Sequence, residues 1–145
     1  MTHILISQLE ADALIAMKKR KISDAPFFWD RKLDVPLLSM DGRESFQLNL
    51  YRGRIDLHKT TYFNRARKII PLLRLDIGVG HRNPDGQEIQ GPHLHIYREG
   101  YDAKWAYPLP IDKFKNIKDI RATLNDFMKF CNIVDPPNIN LGLFK

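Results

Sequence analysis

Apolar and polar residues alternate through the middle of this chain and recur at helical spacing near both ends. Phe46, Leu48 and Leu50 alternate with Gln47, Asn49 and Tyr51, which predicts a half-buried strand over residues 43–52. Asp41-Gly42 precedes it, a two-residue hairpin signal because glycine tolerates positive φ, so residues 35–40 are the expected partner strand. Residues 55–64 follow a turn at Gly53, with Leu57, Thr61 and Phe63 on one side and His58, Thr60 and Tyr62 on the other. Residues 69–79, 93–98 and 105–109 complete about six strands, and Trp105, Tyr107 and Leu109 share a face that reads as core. Short connections favour an antiparallel meander, because parallel neighbours need long crossovers.

Two helices flank these strands. Ser7-Gln8-Leu9-Glu10 has the capping-box form, and Leu9, Ala13, Ala16 and Met17 then recur at helical spacing. The cluster Lys18-Lys19-Arg20-Lys21 suits the negative end of that helix dipole, and residues 22–34, with Pro26, Phe27, Phe28 and Trp29, read as a loop. A second helix is expected over residues 117–131, capped by Asn116, with Ile117, Ile120, Leu124, Phe127, Met128 and Cys131 as its apolar stripe. The segment around Pro136-Pro137 reads as irregular. Each helix has one stripe to bury, so both are expected on the apolar face of the sheet, leaving the other face polar. The predicted fold is α+β, an antiparallel β-meander of about six strands with an N-terminal and a C-terminal helix packed on one face.

Composition bounds this picture without changing it. The chain has 145 residues, enough for one domain with its own core, and 43% hydrophobic with 28% charged residues is ordinary globular composition. The single cysteine, Cys131, falls on the second helix's stripe; it excludes an internal disulfide or a Cys-rich zinc site and fits a reducing compartment. No apolar run approaches the roughly 20 residues that span a bilayer, and the first dozen residues lack the pattern of a secretory signal. A cytoplasmic location is therefore expected, without a membrane partner. The net charge of +6 favours acidic partners: nucleic acid, an anionic protein surface or an anionic lipid.

Candidate chemistry concentrates in "GPHLHIYREG", residues 91–100. Asn83-Pro84-Asp85-Gly86 is a turn in which Pro sets φ and Gly supplies the left-handed position. Centring a hairpin there sets Leu75 opposite Leu94 and Leu73 opposite Ile96. The other face then has Asp76 opposite His93 and Arg74 opposite His95. A slip of one residue would scramble both faces. A carboxylate beside an imidazole raises its pKa, and a guanidinium does the opposite, so His93 and His95 form a candidate acid and base pair. His58, Tyr62 and Tyr97 are expected on the same face, with His81 and Arg82 in the adjoining loop.

Three functions fit such a patch. RNA cleavage without a metal needs a base for the 2′-OH, an acid for the leaving oxygen and a cation for the phosphate. His93, His95 and Arg74 suit those roles, with Asp76 as orienting carboxylate. Lys59 or Arg65 would hold the backbone, and Tyr62, Tyr97 or Tyr101 would stack on a base. A metal site is the second reading: His-x-His on a strand aims two imidazoles the same way, and the third ligand would be His58, His81 or Asp76. It is the weaker reading, and neither a metal nor another cofactor is assigned on this pattern. The third is binding without turnover, to RNA, a nucleoprotein complex or an acidic protein, with Arg65, Arg67 and Lys68 extending the face. There is no phosphate-binding Gly-rich loop and no nucleophile-elbow motif. Oligomeric state is left open.

His93-Leu94-His95-Ile96 resembles the start of the histidine-triad nucleotide hydrolase motif, but Tyr97 stands where that family needs a third histidine. The longer block "GPHLHIYREGYDAKWAYPLP", residues 91–110, resembles a family of small bacterial proteins classed as a domain of unknown function. That resemblance implies no fixed activity. It implies a bacterial, phage- or plasmid-linked setting, in which small basic proteins serve as ribonuclease toxins, antitoxin partners or inhibitors of host defence. The combined expectation is a protein directed at RNA or an RNA-containing complex, either a metal-independent endoribonuclease or a non-enzymatic binder using the same face.

Overall fold

The computed structural model describes residues 5–53, 59–78 and 80–142. In chain order the elements are α1 (Gln8–Ala16), β1 (Lys19–Lys21), β2 (Phe27–Phe28), β3 (Lys32–Ser39), β4 (Ser45–Arg52), β5 (Thr60–Ala66), β6 (Ile70–Ile77), β7 (His81–Arg82), β8 (Glu88–Ile89), β9 (His93–Ile96), β10 (Ala106–Pro108), α2 (Ile120–Phe130), β11 (Ile133–Asp135) and β12 (Ile139–Asn140). The protein is α+β, as expected, but its main sheet has eight strands in the order β10-β9-β6-β5-β4-β3-β1-β11. All neighbours pair antiparallel except β1 and β11, which are parallel. No helix among the described residues is long and apolar enough to cross a membrane.

The apolar positions form rows across the sheet. Leu33 pairs with Leu50, Leu50 with Tyr62, Tyr62 with Leu75 and Leu75 with Leu94. Because side chains alternate along each strand, one paired row fixes which face the whole sheet turns to the core. Ala11 and Leu14 of α1 join that core, as do Leu124, Phe127 and Met128 of α2. Tyr62 meets Trp29 edge-on at 5.7 Å and Phe127 at 5.8 Å.

Several local expectations need correction. The stripe of α1 is Ala11 and Leu14, whereas Leu9 is exposed; its N-cap is Ser7, as expected, with the side chain accepting from the Glu10 amide. The basic cluster does not close the helix: Lys19–Lys21 is a strand. The buried Lys19 ammonium donates to the carbonyls of Ile15, Met17 and Cys131 at 3.1, 2.9 and 2.7 Å. Burial lowers its pKa to about 8 against the opposing pull of Cys131. Phe27–Phe28, expected in a loop, pairs parallel with β12. Helix α2 is capped by Asp119, not Asn116. Trp105 is half-buried and carries the Arg98 guanidinium at 3.9 Å over its ring.

Candidate functional site

The expected register of β6 and β9 is present: Leu73 pairs with Ile96, Arg74 with His95, Leu75 with Leu94 and Asp76 with His93. The face opposite the core therefore carries two polar rows. One runs Lys32, Tyr51, Thr61, Asp76, His93, and the other Asp34, Asn49, Phe63, Arg74, His95.

The β9 end of these rows is roofed. The chain leaves β6, forms the small antiparallel hairpin of β7 and β8, and returns into β9. The hairpin's turn closes with the Gly86 amide on the Asn83 carbonyl at 2.8 Å, and Gly86 adopts φ 92°. A side chain at Gly80 would place its Cβ 2.8 Å from the Ile89 carbonyl oxygen, so the two hairpin arms approach closely only because that residue is glycine. Asn83 is buried and bonds both backbone groups of Ala106, at 2.9 and 2.7 Å, which pins the hairpin to β10. His81 then stands against the strand histidines, its ring 4.7 Å from His95 and 5.6 Å from His93. His93 is 1% exposed and His95 fully buried.

Asp76 organises the charges. Its Oδ2 lies 3.2 Å from Arg74 Nε, 3.4 Å from His93 Nε2 and 3.3 Å from His95 Nε2. Burial works to raise the Asp76 pKa, but hydrogen bonds from both histidines and the charge of Arg74 overcome it and hold the carboxylate ionised, well below the usual range. Burial also opposes charging of His93, yet the bonds to Asp76 and to the Gly91 carbonyl raise its pKa. For His95 burial lowers the pKa, and the charges of Arg74 and His93 reinforce that against the bond to Asp76. The two neighbours are thus driven in opposite directions, as the sequence pairing predicts. His81 donates Nε2–H to the Lys104 carbonyl at 2.9 Å, since a carbonyl can only accept. One nitrogen from each of His81, His93 and His95 can be chosen so that all three lie within 4.8 Å of one another.

The β3–β6 end of the same face is open. A groove of about 460 Å³ is lined by Tyr51, Lys59, Thr61, Phe63, Arg74 and Asp76 among others, and a neighbouring one of about 410 Å³ continues past Tyr51 and Phe63 to Lys32 and Asp34. Phe63 lies under two guanidinium groups, Arg65 at 4.2 Å and Arg74 at 5.6 Å from its centroid. Tyr51 is 48% exposed.

Of the residues expected in the patch, Arg74, Asp76, His81, His93 and His95 come together, and Lys59 and Arg65 flank them on the open stretch. Tyr62 and Tyr97 do not belong to it. Tyr62 pairs with Leu75 on the core face, where burial raises its phenol pKa strongly. Tyr97 is buried too, with its hydroxyl donating to the Ile6 carbonyl at 2.7 Å. Arg67 is held by Glu10 and Glu44 at 2.7 and 2.9 Å, and Arg82 by Glu88 at 2.6 Å. His58 lies outside the described residues. Tyr51 and Phe63 were not expected in the patch. Carrying the pairing one strand further, from β6 to β5, would have found Phe63 opposite Arg74.

A model of a family described as a family of unknown function, DUF6978, matches residues 6–133. No curated protein and no solved structure matches the chain.

Proposed function

The chain belongs to that family of unknown function, and we propose that it binds single-stranded RNA across the open half of its polar sheet face. Bases stack on Phe63 and Tyr51, and phosphates meet Lys59, Arg65 and Arg74. The observation that carries this reading is Phe63, an aromatic ring on the uncovered face with two guanidinium groups over it and a groove alongside. An aromatic on the outward side of a strand gains nothing from the core. Flanked by cations, it offers a base both a stacking surface and a neutralised phosphate path. The net charge of +6 suits the same partner.

A second reading adds cleavage at the roofed end, where His93, with its pKa raised, and His95, with its pKa lowered, share Asp76 and form an acid and base pair beside the Arg74 cation. Both histidines are buried under the β7–β8 hairpin, so this chemistry requires the hairpin to lift. Binding alone requires no movement and is the better supported reading.

The test is fluorescence anisotropy with labelled oligouridine over a salt series. The wild-type protein binds with an affinity that falls as salt rises, and Phe63→Ala, checked for an unchanged circular dichroism spectrum, weakens binding about tenfold. Equal binding by wild type and Phe63→Ala would sink the reading. Running the recovered RNA on a gel decides the second: products made by wild type but not by His95→Gln would establish cleavage.

A further inference from the structure

We propose that His81, His93 and His95 bind one first-row divalent metal ion, zinc being the best match, and that the ion clamps the β7–β8 hairpin onto the sheet. The three residues come from two separate elements, β7 and β9, yet offer one nitrogen each within 4.8 Å of one another. Among the described residues no other group of three or more His, Cys, Asp or Glu gathers its ligand atoms in this way.

The hydrogen bonds already made favour metal ligation over simple packing. A ligating imidazole donates its second N–H to a carbonyl or carboxylate, which fixes its tautomer and aims the free lone pair. His81 donates Nε2–H to the Lys104 carbonyl, leaving Nδ1. His93 donates Nδ1–H to the Gly91 carbonyl at 3.0 Å, and its Nε2 lies 3.4 Å from Asp76 Oδ2, a contact that an ion would replace. His95 Nε2 lies 3.3 Å from Asp76 Oδ2 and 3.1 Å from the donor Arg74 Nη2, and its Nδ1 is buried without a hydrogen-bond partner. Each ring can thus present one nitrogen to an ion, at His93 in exchange for its contact with Asp76 and at His95 in the tautomer that carries its proton on Nε2 toward Asp76. A fully buried imidazole nitrogen with no partner is costly in an apolar setting, and a metal bond removes that cost.

All-imidazole coordination selects zinc and its neighbours over magnesium or calcium, which prefer oxygen. At zinc–nitrogen distances of about 2.0–2.1 Å, tetrahedral nitrogens stand about 3.4 Å apart, so the cluster must tighten. His81 is the half-buried member, on a two-residue strand, and a small ring rotation there closes the gap. Arg74 opposes further positive charge at this point, and the Asp76 carboxylate, in contact with Arg74, His93 and His95, offsets it. This inference is independent of the RNA reading, since none of the three histidines lines the open groove.

The test uses the untagged full chain, stripped with a chelator and dialysed. Added zinc should bind at one ion per chain and raise the midpoint of thermal unfolding by about 5–10 °C at roughly a hundredfold excess over Kd, whereas magnesium should leave it unchanged. Cobalt should give a visible absorption band that zinc displaces. His81→Ala, and separately His81→Asn, should keep the wild-type far-ultraviolet spectrum and lose the zinc shift and the cobalt band. Failure of the wild type to bind zinc or cobalt overturns the proposal. So does a folded His81→Ala protein that binds zinc as tightly as the wild type.

Discussion

The two halves of the polar sheet face use the same strand geometry for opposite ends. On the β6–β9 half, charged and polar groups are drawn inward, roofed by a hairpin and gathered around Asp76. On the β3–β6 half, an aromatic ring and its guanidinium partners stay half-exposed beside an open groove. Arg74 belongs to both, with its Nε on Asp76 and its guanidinium over Phe63. A buried polar network fixes one arrangement because every broken contact leaves an unpaired group, whereas an exposed aromatic surface costs little when altered. The roofed half should therefore dominate stability, and the open half should dominate recognition.

Asp76→Ala is the strongest way to break that division. It removes the shared acceptor of two imidazoles and a guanidinium in a buried setting, which costs about 3–5 kcal/mol for a broken buried pair. The value should fall near the lower limit, because His93 can release its proton once its carboxylate is gone. Urea unfolding at neutral pH measures this. A loss no larger than that of Phe63→Ala would place the two halves on an equal footing and undo the comparison.

A finer cut uses pH. His93 has a raised pKa in the fold, so the stability it contributes is fully present below its unfolded pKa of about 6.5 and is lost as pH rises through the folded value. Asp76 works the other way, contributing above the unfolded carboxylate value of about 4 and losing that contribution as pH falls toward its depressed folded pKa. In chelator-stripped protein, the stability gap between wild type and His93→Gln should be widest near about pH 5–6 and should narrow as pH climbs past the raised His93 value. A gap independent of pH would mean that His93 is not charged beside Asp76.

The roofed half was largely legible from the sequence. Its register follows from period-two alternation, because only one pairing of residues 73–76 with 93–96 keeps Leu75 with Leu94 and Asp76 with His93. The roof itself was not legible, since nothing local says that the strands flanking Asn83-Pro84-Asp85-Gly86 fold back over the histidines. That placement depends on Asn83 reaching Ala106, 23 residues away. The open half was misjudged at Tyr62. Aromatic and threonine residues occupy both sides of β5, so alternation alone does not say which side is buried. Leu50 and Leu75, its neighbours on either strand, decide it. Lys19–Lys21 was missed as a strand for a related reason: three basic residues carry no apolar signal, and one of their two pairing partners, β11, lies more than a hundred residues further along the chain.

The smallest expected effect isolates a single charge on the open half. Arg65 stacks on Phe63 and has no acidic partner among the described salt bridges, so its charge is available to a phosphate. Arg65→Gln should lower the unfolding free energy by no more than about 1 kcal/mol, the loss of its contact with the Phe63 ring. It should reduce the slope of log affinity for oligouridine against log salt by about 0.7, the counterion released by one phosphate contact on a single strand. Arg67→Gln serves as its control, because Glu10 and Glu44 already neutralise that guanidinium. Equal slopes for the two variants would mean that RNA meets the protein's net charge rather than the row that holds Phe63.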